Sequence, residues 1–151
     1  MFGTPLHPML VHFPIALLIM GTVLQMVAVW KKKFFDKAAL LLLSVGFISG
    51  VAAYLSGGGA VRFADAHWGN AYKSLVEIHE LYAFITMVLF GVAIGLRILF
   101  HYYRKKFFMP LVLTFCILGS ITLGVTGHYG GQMVYVQNHA ESAGTTLPVI
   151  R

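Results

Sequence analysis

Seven histidines in a chain of 151 residues are the first sign of chemistry. Imidazole ligates iron, copper and zinc, and it serves as an axial ligand of haem. His7 and His12 stand in the block HPMLVHFPIALL, His79 in EIHEL, and His128 between glycines in GVTGHYGG. Five residues separate His7 from His12. On a regular helix their side chains point roughly 140° apart and sit about 7 Å apart along the axis. Residues that share a face are three or four apart, so one iron does not take both. Four histidines in two pairs would suit two bis-histidine haems, and the glycines around His128 leave room for a macrocycle. Pro14 follows His12 closely and can bend the first turns. No thiolate or membrane-buried carboxylate accompanies these histidines, apart from Glu77 and Glu80 at a boundary. Haem therefore fits better than a bare metal ion. Arg62 and Lys73 could pair with haem propionates. Trp68 and Tyr72 beside them read as interfacial aromatics.

The histidines matter only if helices bring them to one level. The chain is 58% hydrophobic and 11% charged, against about 25% charged in an average soluble domain. The apolar residues fall into four runs, at about 9–30, 38–56, 75–100 and 108–129. Each is long enough to cross about 30 Å of hydrocarbon as a helix. The expected fold is all-α, a single membrane domain forming a four-helix bundle. A connection at about 57–74 and a C-terminal tail at 132–151 lie outside the helices. The tail could extend the fourth helix or cover the site, and Gly, Thr and Pro after Ala143 suggest a loose end. Pro110 falls in the first turn of the fourth helix, where proline is tolerated. The first run has no Lys or Arg before it and three lysines after it, the reverse of a secretory signal, so it reads as a retained anchor.

Basic residues set the orientation. Lys31, Lys32, Lys33 and Lys37 lie in one turn. Arg97, Arg104, Lys105 and Lys106 lie at the end of the third run and in its turn. The positive-inside rule puts both turns in the cytoplasm and both termini outside, as expected of a multi-pass protein of a bacterial inner membrane. The net charge of +6 is therefore a topology signal and does not point to nucleic acid. In this orientation His7, His12, His79 and His128 all fall at the outer ends of their helices. His67 and His139 lie in the outer connection and tail, and His101 near the cytoplasm. Ligand-type residues at membrane depth are costly and default to functional candidates. The single cysteine, Cys116, rules out an intrachain disulfide and covalent C-x-x-C-H haem attachment. It reads as a small packing residue.

KKFF at residues 32–35 recurs at 105–108. The same register aligns Gly46 with Gly119, Ile48 with Ile121, and Gly57–Gly58 with Gly130–Gly131. One residue of adjustment aligns His7 with His79. The chain thus reads as two tandem helical hairpins, related by an axis along the membrane normal. Gly46-x-x-x-Gly50 and Gly91-x-x-x-Gly95 offer small faces for close helix packing.

The blocks HPMLVHFPIALL and TGHYGG, with His79 between them, resemble a family of small four-helix bacterial membrane proteins known as domain of unknown function 2231. The resemblance runs from about Gly3 to Val136. Related domains occur fused to cytochrome-type modules, which implies a redox role for His7, His12, His79 and His128. The residues themselves lead to the same expectation. The chain reads as a membrane b-type cytochrome holding one or two haems b, with iron on those histidines. It would carry electrons between a quinol pool and an extracytoplasmic redox partner, as a homo-oligomer or as a subunit of a complex. A histidine-liganded non-haem metal protein and a cofactor-free structural or assembly subunit are the alternatives. The chain lacks the G-x-S-x-G, P-loop, H-E-x-x-H and Rossmann glycine patterns, so an electron carrier fits better than a stand-alone enzyme.

Overall fold

A computed structural model describes the backbone over residues 7–68, 73–103 and 105–142, and side chains over 10–31, 34–57, 73–103 and 105–133. Four helices make up the described chain: α1 (His7–Val27), α2 (Lys32–Trp68), α3 (Lys73–Tyr103) and α4 (Phe108–Ser142). All four are long and apolar enough to cross a membrane. Helix is what lipid demands, since each backbone N–H and C=O must find its partner within the segment. α1 closes in a tighter turn, where Val29 and Trp30 donate to the carbonyls of Met26 and Val27 at 3.1 and 3.0 Å. The chain then reverses through the lysines into α2.

Two helices outlast their apolar runs. α2 continues to Trp68 through the segment expected to be a connection from about residue 57, and α4 continues to Ser142 through the start of the expected tail. The loss of hydropathy marked where the apolar span stops, and the apolar span of α2 does stop at Gly57. It did not mark where the helix stops. Once nucleated, a helix gains one hydrogen bond for each residue added, and neither extension contains proline. Residues 143–151 lie outside the described chain.

The packing is inside-out relative to a soluble bundle. Gln25 is 1% exposed, and Thr22, Thr86, Thr126 and Arg97 are also buried. Ile48 and Leu55 are 70% and 74% exposed. In water this would leave apolar side chains in solvent with no gain from burial. In a bilayer the exposed faces meet acyl chains, and the polar groups satisfy one another inside. Among the described residues no buried side-chain nitrogen or oxygen is left without a hydrogen bond.

α1 packs mainly on α2, and α3 mainly on α4. These are the two hairpins expected from the KKFF repeat. Burial repeats with them. Ala39, Leu43 and Ala53 are buried in α2, and Val112, Cys116 and Thr126 are buried at the matching places in α4. Each pair is 73 residues apart, the spacing of the two KKFF blocks. Leu18 in α1 and Phe90 in α3 also match, in the register of His7 and His79, one residue shorter, and are fully buried. α2 against α3 and α1 against α4 form the two looser seams between hairpins, and α1 and α3 face each other across the ring.

Glycine sets the close approaches. A Cβ on Gly46 would lie 3.0 Å from Leu17 and Leu18, and one on Gly119 would lie 2.9 Å from the Phe90 ring. These are equivalent contacts in the two hairpins. Gly50 and Gly91 receive Met87 and Phe47 across the α2–α3 seam. Gly95, the last member of the expected small faces, has nothing within 4 Å of its Cβ position among the described residues. Gly95→Ala should therefore raise stability by up to about 1 kcal/mol through helix propensity. Gly91→Ala should give less or nothing, because Phe47 must move. Thermal unfolding in detergent checks both.

Candidate functional site

Three of the expected ligands, His12, His79 and His128, lie toward the end of the bundle away from the lysine turns. Across the α1–α4 seam Ser120 donates to Thr22 at 3.1 Å, which fixes the register of these antiparallel helices. From that layer His12 is ten residues out, about 15 Å, and His128 eight residues, about 12 Å. On α3, Thr86 meets Thr122 at 2.9 Å. His79 lies seven residues beyond Thr86, which puts it about 13 Å out. Three helices thus bring three imidazoles to one level.

Their surroundings differ. His79 is half-buried and its Nδ1 lies 2.9 Å from the Thr126 carbonyl of α4. A carbonyl accepts only, so Nδ1 carries the proton and the lone pair of the neutral ring sits on Nε2. The ring packs on Gly130, where a Cβ would approach to 3.3 Å. That gives the first glycine after His128 a defined role. Tyr82 and Tyr129 stack nearby with ring centres 5.9 Å apart. His128 is exposed, and its Nε2 lies 3.1 Å from the amide nitrogen of Gln132, one turn on. The amide nitrogen donates, so Nε2 accepts and Nδ1 bears the proton. His12 is exposed on α1. Lys73 opens α3 with an exposed side chain. The side chains of His7, Arg62, His67 and His139 lie outside the described residues. Among the described residues no three His, Cys, Asp or Glu side chains converge in a way that could hold a metal ion.

Below the histidines, hydroxyls tie the helices together. Thr22 donates to the Leu18 carbonyl at 2.9 Å and accepts from Ser120. Thr126 donates to the Thr122 carbonyl, and Thr122 to that of Gly119. Bonding back to the preceding turn lets a hydroxyl sit in an apolar interior. Cys116 is buried in the core with Leu18, Leu43 and Phe90, as its reading as a packing residue requires.

A second polar centre, at the lysine end, was not expected. Arg97 counted only as one of the basic residues that set topology. Its guanidinium is in fact buried, donating to Asp36 Oδ1 at 2.7 Å, to the Asp36 carbonyl at 2.9 Å and to Gln25 Oε1 at 3.1 Å. Met109 Sδ completes the shell at 3.8 Å. Each of the four helices supplies one of these residues. Two signals were available in the sequence. Asp36 is the one acid in KKKFFDK, and the repeat sets Gln25 against Arg97 and Asp36 against Met109.

The chain matches the family model described as "Predicted membrane protein (DUF2231)" over residues 3–142. No curated protein and no solved structure matches it.

Proposed function

Because the chain belongs to the DUF2231 family of predicted membrane proteins, whose name assigns no chemistry, we propose from its residues that it is a b-type cytochrome. In this reading it sits in the bacterial inner membrane with its lysine turns in the cytoplasm. It carries electrons between a quinol pool and an extracytoplasmic partner. The observation that supports it is the gathering of His12, His79 and His128 at one level from three helices. Polar side chains at membrane depth are retained for function.

His79 is the imidazole best prepared to ligate. A metal-bound histidine usually gives its other N–H to a carbonyl or carboxylate, which fixes the ring and its tautomer. The Thr126 carbonyl does this for His79. The counterpart of His79 in the first repeat is His7, on the helix across the ring. His7 and His79 would together hold one haem, and Arg62 and Lys73 would pair with its propionates. Haem supplies one-electron chemistry when bound. The chain contributes the ligands, the burial that tunes the potential, and the exclusion of water.

A reduced-minus-oxidised spectrum of the purified protein, with a pyridine haemochrome assay, tests the reading. A b-type signal near one haem per chain is expected, lost in His79→Ala. A colourless protein from cells supplied with haem would overturn it.

A further inference from the structure

The lysine end of the bundle carries charge that the chain itself does not answer. Asp36 is the one acid there, set against the eight basic residues of the two turns and the helix end beside them. Its carboxylate is taken by Arg97 at 2.7 Å. Lys31, Lys37, Lys105 and Lys106 are exposed, and none of them pairs with an acid among the described residues.

Three of these lysines flank one seam. α1 ends and α4 begins at this end of the bundle, and the two helices are neighbours in the ring. Their register is fixed here, because Gln25 of α1 and Met109 of α4 both lie against the same guanidinium nitrogen of Arg97. Lys31 stands six residues beyond Gln25, and its amide donates to the Val27 carbonyl at 3.0 Å. Lys105 and Lys106 stand just before Met109, and their carbonyls accept from the amides of Phe108 and Met109 at 3.2 Å. These turns fix the backbone of all three lysines and put them within about one helical turn of the same level. Beside them stand two rings left largely uncovered: Trp30 is 79% exposed and Phe107 is 63% exposed. A cation next to an aromatic ring is the pattern of a helix end held at the head-group level.

We propose that the mouth of the α1–α4 seam at the lysine end binds a phospholipid bearing two phosphates, with Lys31 on one side and Lys105 and Lys106 on the other. Charge selects the occupant. Three uncompensated cations call for an anion, and basic sites between transmembrane helices take anionic head groups from the leaflet beside them. The cations come from two separate turns. A head group with two linked phosphates reaches both, and its second phosphate binds at the effective concentration set by the first. A lipid also gives Trp30 and Phe107 acyl chains and esters to pack on, which a free phosphate does not. Bound in this way, the lipid joins the first helix of one hairpin to the second helix of the other. The site lies at the opposite end of the bundle from the histidines and stands whether or not haem binds.

The test is native mass spectrometry and thermal unfolding of the delipidated whole protein in a neutral detergent, titrated with tetraoleoyl cardiolipin. One lipid retained per chain and a saturable rise in melting temperature are expected. Lys31→Gln and Lys105→Gln should each weaken binding by about fivefold, the scale of one lysine at a membrane surface. Lys37→Gln, which removes a lysine of α2 away from this seam, should change it by less than about twofold. Dioleoylphosphatidylglycerol at equal total charge should give a smaller rise, and inorganic pyrophosphate none. Equal stabilisation by the single-phosphate lipid would overturn the two-phosphate site. So would equal weakening by Lys37→Gln, which would mean diffuse attraction across the whole lysine end. Pyrophosphate binding as tightly as the lipid would make the ligand a soluble anion instead. A protein that retains no cardiolipin and gains no stability from it would overturn the proposal outright.

Discussion

Asp36→Ala is expected to destabilise the bundle by about 2–4 kcal/mol, the largest loss of any single change at the lysine end. The substitution removes only one carboxylate, and that carboxylate is itself partly exposed. What it leaves behind is the difficulty. The Arg97 side chain is 4% exposed, its charge is permanent, and only neutral acceptors, Gln25 Oε1, the backbone carbonyl of residue 36 and Met109 Sδ, would face it. Removing one partner of a buried pair strands the other charge where water cannot reach it. Arg97→Met should cost less, because Asp36 can turn its carboxylate to water and Met lies comfortably beside Met109. The double variant Asp36→Ala/Arg97→Met should be more stable than Asp36→Ala alone. Unfolding of all three in detergent measures the order. If Asp36→Ala proved as stable as the parent, the pair would be a surface ion bridge of the kind worth about 0–1 kcal/mol, and its link between the hairpins would carry no energy.

The same pair shows where sequence reading stopped. Helix number, the approximate spans and the pairing into hairpins were legible, because lipid imposes long apolar runs and because KKFF recurs at a spacing that burial then follows. Charges at helix ends were read for topology alone, since the positive-inside rule accounts for them in full. It took the fold to bring α2 beside α3 and turn Arg97 inward. His79 was legible as a candidate, but the Thr126 carbonyl that fixes its tautomer was not, being a backbone group 47 residues away.

Gly119→Val should be the most damaging substitution within the membrane span, costing about 3 kcal/mol or preventing accumulation of the folded protein. A Cβ alone would stand 2.9, 3.0 and 3.2 Å from three atoms of the Phe90 ring. That ring is fully buried, and an aromatic side chain held on all sides has no other rotamer to adopt. The branched methyls of valine would push further into it, so α4 must lift from α3. Lifting would also part Thr86 from Thr122. Shortening the obstructing ring should restore much of the loss. Gly119→Val/Phe90→Ala is expected to be more stable than the sum of its parts by 1 kcal/mol or more, on the order of the coupling seen between residues in contact. The repeat extends the prediction to the other hairpin, where Gly46→Val should be relieved by Leu18→Ala through the equivalent contact. Gly124→Val offers the control, since its Cβ position is open and valine is a slightly better helix former than glycine, so stability should stay the same or rise by about a few tenths of a kcal/mol. Independent, purely additive effects at Gly119 and Phe90 would mean that the hairpin is held by something other than this contact. Coupling in both hairpins would show that one packing rule, a bulky side chain from the first helix set into a glycine of the second, builds each half of the bundle.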